Sequence, residues 1–258
     1  MSSIVFEVKD SVARITLNRP EKFNAFNRDM ALALQRTLDD CAADKNVRCI
    51  YLTGAGRAFC AGQDLGEVVD PEGPGMESIL REHYNPLIRK IRYLPKPVLA
   101  AVNGVAAGAG ANIALSCDVV VATESAFFIQ AFSRIGLVPD NGGTFFLPRL
   151  IGLQKASAFM MLGEKVSAKD AERHGMIYKY FPDKKFMQEA EAIAATLSRL
   201  PTRALAFTKE ALNKSAGQTL EEQLHTEDAL QQAAALTKDF QEGVAAFLEK
   251  RPPEFKGE

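Results

Sequence analysis

Asp140 sits in the run GLVPDNGG (residues 136–143), just after an apolar stretch and fenced between a proline and a pair of glycines. Pro, Asn and Gly are turn formers, and a solvent-facing turn accepts an aspartate at little cost. The same turn could deliver one carboxylate into an apolar pocket, where burial would raise its pKa and suit it to moving protons. A third use is as an N-terminal cap on a helix entered at Gly143.

Two further stretches carry possible chemistry in their backbone: GRAFCAGQDL (56–65) and NGVAAGAGANIAL (103–115). Each pairs a buried strand with a turn of small residues leading into a helix. Small side chains let the backbone approach a ligand, and the first helical turn leaves N–H donors free. One donor from each turn, converging on a single oxygen, would stabilise negative charge there. Close packing of turn against helix is the competing use. A nucleotide site is not indicated, because the second stretch lacks a phosphate-loop Gly-Lys-Ser/Thr and does not complete a dinucleotide glycine signature.

The elements that must position these groups alternate. IVFEV (4–8) and ARITLNRP (13–20) read as strands, and Met30, Ala33, Leu34 and Leu38 mark a helix over about 27–40. VRCIYLTGAG (47–56), VLAAVNGVAAGAG (98–110) and CDVVVATESAFFI (117–129) read as buried strands, the second running into a helix. PEGPG (71–75) is a surface loop before a helix that ends ahead of LPKP. This order gives an α/β core with sheets covered by helices. After about residue 150 the β signal fades. SAKDAERHG (167–175) has a Ser-x-x-Asp start and a glycine stop, and 185–215 and 219–249 read as two long amphipathic helices. An exposed apolar face on this helical end would favour self-association.

Composition narrows the class. The 258 residues are 47% hydrophobic and carry 31 basic against 32 acidic residues, so no electrostatic footprint for nucleic acid or an anionic membrane is present. Cys41, Cys49, Cys60 and Cys117 form no CxxC pair and the three histidines are scattered, so neither a metal site nor a disulfide framework is expected. The opening MSSIVFEVKD is unlike a signal peptide, and glycine, asparagine or charge interrupts every apolar run. A cytoplasmic protein is expected.

Taken together, NRPEKFNAFN, AFCAGQDL, KPVLAAVNGVAAGAG and GLVPDNGGT occur in the order and spacing of the crotonase superfamily, the enoyl-CoA hydratase/isomerases. The chain resembles that family over essentially its whole length. Within it, AGQDL, AVNGVAAGAGA, GLVPD and the closing FLEKRPPEF are most similar to the isomerases of phenylacetate degradation. The resemblance implies a spiral of β-β-α turns over residues 1–195 and a helical region over 196–258 that serves trimer contacts, two trimers often stacking as a hexamer. It implies an acyl-CoA thioester as ligand and no cofactor beyond the coenzyme A that the substrate carries. The thioester oxygen would accept from the amides of Gln63 and of Ala109 or its neighbour Gly110, with the Gln63 side chain mattering little. Coenzyme A would pass along Lys22, Phe23, Asn24 and Ala25 and along Ala61–Leu65, including Asp64.

Family hydratases carry two glutamates at positions that read Asn112 and Phe132 here. Hydration needs one group to activate water and another to manage the proton at the α-carbon, so the usual route to water addition is not expected. Asn112 would pack or bond backbone, and Phe132, with Leu137 and Phe128, would wall the acyl pocket. Asp140 matches the aspartate assigned as acid/base in the related isomerases. A single carboxylate suits an isomerase that removes a proton beside the thioester and returns it elsewhere. The reaction implied is conversion of ring-epoxidised phenylacetyl-CoA to its seven-membered oxepin isomer, together with double-bond shifts in enoyl-CoAs; the alternatives are hydration or another lyase or hydrolase reaction on this fold, and a non-catalytic acyl-CoA-binding role. His83 and Tyr84 are further candidates for the pocket wall.

Overall fold

In the computed structural model, which describes residues 2–258, two sheets are threaded by one repeating unit. Strands β1 (Ile4–Lys9) and β2 (Val12–Leu17) form an antiparallel hairpin whose two turn residues, Asp10 and Ser11, both have positive φ. Three units come next, each pairing a longer strand with a shorter one: β3 (Cys49–Gly54) with β4 (Ala58–Cys60), β5 (Val98–Val102) with β6 (Val105–Ala107), and β7 (Val119–Thr123) with β8 (Phe127–Ile129). Two short strands, β9 (Lys165–Ser167) and β10 (Lys179–Phe181), close the sheets. The longer strands build a six-stranded sheet in the order β1-β2-β3-β5-β7-β10, parallel from β2 onward. The shorter ones build a four-stranded sheet, β4-β6-β8-β9.

The sequence pattern shows 98–110 and 117–129 as single strands, and each is in fact two. A buried-strand run is continuous in hydrophobicity whether or not it turns a corner. Side-chain hydrogen bonds make the corners. The Asn103 amide donates to the carbonyls of Gly54 (2.8 Å) and Gly56 (2.9 Å) and accepts from the Gly54 N–H (3.1 Å). Asp183 does the same at the second corner, accepting from Thr123 Oγ1 (2.6 Å) and the Ser125 N–H (2.9 Å). Such corners throw each second strand into the smaller sheet and aim the turns beyond those strands at one place.

Helix α1 (Arg28–Ala43) lies between β2 and β3 and buries Met30, Leu34 and Leu38. A short α2 (Leu65–Val69) comes after β4. Next is a continuous helical segment made of α3 (Gly75–Ser78), a π-helical stretch (Ile79–Tyr84) and α4 (Asn85–Tyr93). Helix α5 (Ala109–Leu115) succeeds β6 and is wholly buried. Beyond the Asp140 turn come α6 (Gly143–Ile151), α7 (Leu153–Leu162) and α8 (Ala168–Arg173), the last capped by Ser167 as its sequence indicates. Parallel strands need cover on both faces. One face packs on α1, α5 and the Ile79–Tyr93 segment, and the other on α9 (Asp183–Arg199) through Phe186, Ala190 and Ala194.

The two long helices expected at the carboxyl end are four. Pro201, which supplies no N–H, separates α9 from α10 (Thr202–Ser215). Thr237 separates α11 (Leu220–Ala235) from α12 (Lys238–Glu249), its hydroxyl accepting from the Phe240 N–H (3.1 Å). Amphipathic periodicity runs through both breaks, so it cannot locate them. Lys209 anchors α10: its buried ammonium pairs with Asp118 at 2.7 Å and donates to the Ile91 carbonyl at 2.7 Å. Asp118 is thereby structural, as its place beside a strand suggests. Leu236, Phe247 and Leu248 stand out in solvent on or beside α11 and α12. No helix among the described residues is long and apolar enough to cross a membrane.

Candidate active site

The two glycine turns meet at a cavity of about 330 Å³. Gln63 comes from the turn after β4 and Ala109 from the first position of α5, and both line the space. Neither main-chain N–H has an acceptor among the described residues. The turns approach closely because of Gly62, at φ +98°, where a Cβ would lie 3.0 Å from the Ala107 carbonyl and 3.6 Å from the Ala109 nitrogen. Any side chain there would be strained and would wedge the turns apart. Gly108, at φ +50°, caps α5 and leaves Ala109 as the first helical residue, whose N–H is free by helix geometry. Gly110 does not line the cavity, contrary to the sequence expectation. It packs on Cys60, into whose carbonyl and thiol a Cβ would run.

Asp140 borders the same cavity, with Phe132, Ile135 and Leu137 as apolar neighbours. Burial pushes its carboxyl from the usual 3.8 up to about 6, against the opposing hydrogen bond from the Asn141 amide at 2.8 Å. Its side chain does not cap α6. That helix begins from Gly142 without a side-chain cap, and Asp140 serves it only by its carbonyl, which accepts from the Gly143 N–H at 2.8 Å. The carboxylate is therefore left to the cavity, and the turn is built by main chain and by its neighbours.

One of those neighbours is Asn112, expected in the pocket but found behind it. It is fully buried, donates from Nδ2 to the Asp140 carbonyl (2.9 Å) and accepts from Gln130 Nε2 (2.7 Å). Gly143 lies against this amide so closely that a Cβ would collide with it. Asn112 thus clamps the Asp140 turn to α5, the helix that also presents Ala109. Phe128, offered as a wall residue, belongs to the core and is fully buried. Phe132 does form the wall, its ring lying 3.7 Å from a Cβ built on Gly108.

The residues expected along coenzyme A divide. Ala61 and Leu65 line the cavity, whereas Lys22, Phe23 and Ala25 lie on the adjoining turn. That turn is stitched to the rim by main-chain bonds: Ala61 N–H to the Phe23 carbonyl (3.0 Å), Phe26 N–H to Gly62 (2.7 Å) and Asp64 N–H to Phe26 (2.8 Å). Phe23 and Asn24 both have positive φ, and buried Asn24 holds the turn through the Ala55 and Ala58 carbonyls. Lys22 stays exposed at its tip. Asp64 has partners within the protein. Its carboxylate pairs with Arg19 (2.8 Å) and caps α2 through the Gly66 N–H (3.1 Å).

Sequence reading missed the role of the Gln63 side chain. Its Oε1 accepts from the Tyr84 hydroxyl at 2.6 Å and its Nε2 donates to Glu67 at 2.8 Å. Tyr84 and Ile79, at the two ends of the π-helical stretch, both stand at the cavity wall. His83 is buried beside them and faces Arg28 at 3.0 Å, away from the cavity. A glutamine after a glycine carries no local signal of such a contact, because its partner comes from a helix distant in sequence.

Comparisons with known proteins bear on the chain as a whole. A family model described as enoyl-CoA hydratase/isomerase matches residues 7–258. The chain is 45% identical over 260 residues to the 1,2-epoxyphenylacetyl-CoA isomerase of Escherichia coli K12, covering 100% of this chain and 99% of that one. It is 48% identical over 255 residues to a protein of Rhodobacter capsulatus named probable enoyl-CoA hydratase, covering 99% and 98%. Among solved structures, an enoyl-CoA hydratase from Bacillus anthracis superposes with a TM-score of 0.92 at 33% identity, covering 99% of this chain and 100% of that one.

Proposed function

The chain belongs to the enoyl-CoA hydratase/isomerase family and acts on acyl-CoA thioesters, and within that family we propose that it is an isomerase using Asp140 as its one acid/base. The observation that carries this reading is the pairing of a single carboxylate with two unpaired main-chain N–H groups around one apolar cavity. The thioester oxygen accepts from the Gln63 and Ala109 amides. Charge that develops on that oxygen when a proton leaves the α-carbon is stabilised by donors already in place. Asp140 takes the proton, and the electron pair shifts into an enolate. Returning the proton at the γ-carbon moves a 3,4 double bond to the 2,3 position and restores the carboxylate. No atom is gained or lost.

A carboxyl at about 6 is mostly ionised at neutral pH yet more basic than an ordinary aspartate, which suits both halves of the shuttle. Water addition asks for a second acid/base. Asn112 spends both ends of its amide on Gln130 and on the Asp140 carbonyl, and Phe132 brings only a ring. The substrate we favour is the ring-epoxide of phenylacetyl-CoA, isomerised to the oxepin, as the name of the E. coli relative suggests. Polarisation by the two amides would assist that ring expansion, and the proton shuttle would serve double-bond shifts.

Incubation of the protein with this epoxide, with a 3-enoyl-CoA and with crotonyl-CoA, followed by product identification, tests the proposal. Oxepin and 2-enoyl products are expected. Hydration of crotonyl-CoA to the 3-hydroxy thioester as the dominant reaction would overturn it in favour of a hydratase.

A further inference from the structure

The Gln63 side chain is held at both ends. Tyr84 donates to its oxygen at 2.6 Å, and its nitrogen donates to Glu67, whose other carboxylate oxygen accepts from the Arg28 N–H at 2.8 Å. This chain of hydrogen bonds ties the π-helical stretch, α2 and the start of α1 to one residue, and that residue presents an unpaired N–H to the cavity. The Gly62–Gln63 peptide is fixed on its carbonyl edge, where Gly62 accepts from the Phe26 N–H at 2.7 Å. On the cavity side nothing in the main chain holds it, and the side chain supplies that restraint.

Tyr84 is fully buried, and its hydroxyl proton is committed to the Gln63 oxygen. Burial also lifts the phenol well above its usual pKa, with Cys60, Asp140 and Glu67 adding to the effect, so it stays a neutral donor at working pH. A π-helical turn is an uncommon local form that turns up at functional sites. Here it brings Ile79 and Tyr84 to the same wall, one as apolar lining and the other as the anchor of Gln63.

Resting on the oxyanion reading given above, we infer that Tyr84 is a positioning residue, which acts through the Gln63 side chain to aim the Gln63 main-chain amide at the thioester oxygen. It contributes to the step in which charge develops and little to holding the acyl-CoA. The Gln63 side chain is then a part of the device, not a bystander on an amide donor.

The probe is the coenzyme A thioester of a para-dialkylaminocinnamate, whose absorption band moves to the red when its carbonyl is polarised. Wild-type protein should shift the band on binding. Tyr84→Phe, which deletes only the hydroxyl, and Gln63→Met, which keeps length without polar ends, should each shrink that shift. Each should lower kcat for a 3-enoyl-CoA about tenfold, the scale of one lost hydrogen bond, with KM changed less than twofold. The double variant should lose no more than Gln63→Met alone, because that substitution already removes the bond that Tyr84→Phe deletes. Should Tyr84→Phe fail to fold, Gln63→Met carries the test by itself. A band shift and kcat unchanged in both variants would overturn the inference while leaving the oxyanion reading intact. A rise in KM alone would also overturn it, by showing a role in binding. No shift in wild-type protein would refute the oxyanion reading itself.

Discussion

Replacing Asp140 with asparagine separates the charge of the carboxylate from its shape. The Asn141 amide can still donate to the side-chain oxygen, and the carbonyl of residue 140 can still accept from Asn112 and Gly143. Loss of the acid/base should lower the rate of 3-enoyl-CoA isomerisation by about 100- to 10,000-fold, the usual range for general acid–base groups. Stability should move the other way. The folded carboxyl titrates near 6 and the unfolded one near 3.8, so between those values the folded state binds a proton that the unfolded state does not. This group's contribution is therefore most favourable below the unfolded pKa, declines as pH rises toward 6, and stays at its lowest above it. A shift of roughly two units at about 1.4 kcal/mol each sets a ceiling near 3 kcal/mol. The side chain is only partly buried against an open cavity, which lowers the figure to about 1–2 kcal/mol. Asp140→Asn should accordingly melt about 2–6 °C higher at pH 7. At a pH of about 3, below the unfolded pKa, the gain should vanish, because residue 140 is then largely neutral in both the folded and the unfolded protein. Absorbance of the conjugated product and thermal unfolding at the two pH values provide the readings. Wild-type isomerisation by the variant would refute the shuttle, and a lower melting temperature at pH 7 would refute the burial argument.

In wild-type protein, log kcat/KM should fall with unit slope as pH drops below about 6, and this limb should be missing from the residual activity of Asp140→Asn. Asn112→Ala should cost about 1–3 kcal/mol of stability by leaving the Gln130 amide nitrogen without its acceptor and the Asp140 carbonyl with Gly143 alone, and kcat should fall about tenfold, measured by denaturant unfolding and steady-state assay. Ala109→Pro removes the N–H at the first position of α5, where proline is tolerated in a helix, so turnover should drop at least about 100-fold while the circular dichroism spectrum stays that of the wild type. We further propose that the exposed Leu236, Phe247 and Leu248 are covered by other copies of the chain as a trimer or a pair of trimers. Light scattering should then give three or six times 28.1 kDa, and Phe247→Asp should lower that mass.

The parts of this site that are readable in sequence are those encoded locally. Glycines at 62 and 108 and a proline before Asp140 announce turns because each fixes or frees the backbone at its own position. The carboxylate in an apolar run is likewise visible, since its neighbours in sequence are also its neighbours in space. Contacts made across the fold are not. Asp64 resembles a ligand residue in its motif, yet Arg19 and the first turn of α2 occupy its carboxylate. Asn112 sits where a catalytic acid is expected and instead faces the back of the Asp140 turn. The strand corners at Asn103 and near Ser125 escaped for a related reason. Hydrophobic runs report burial, and burial does not change when a chain passes from one sheet to the next.

The placement of each group divides the labour. The two amides belong to the backbone, so their positions depend on turns and helix ends. The acid/base belongs to a side chain and can be supplied from any element that reaches the cavity. Asn112 shows how the two are coupled in this protein: it lies on α5, three residues beyond Ala109, and holds the carbonyl of Asp140. Any shift of α5 that moves the Ala109 donor therefore also moves the base. Substitutions that disturb α5 without touching the cavity, such as Gly110→Ala against Cys60, should then depress carbonyl polarisation and proton transfer together. If a bound conjugated thioester kept its full red shift in Gly110→Ala while isomerisation fell, the amide and the carboxylate would be positioned independently and this coupling would be wrong.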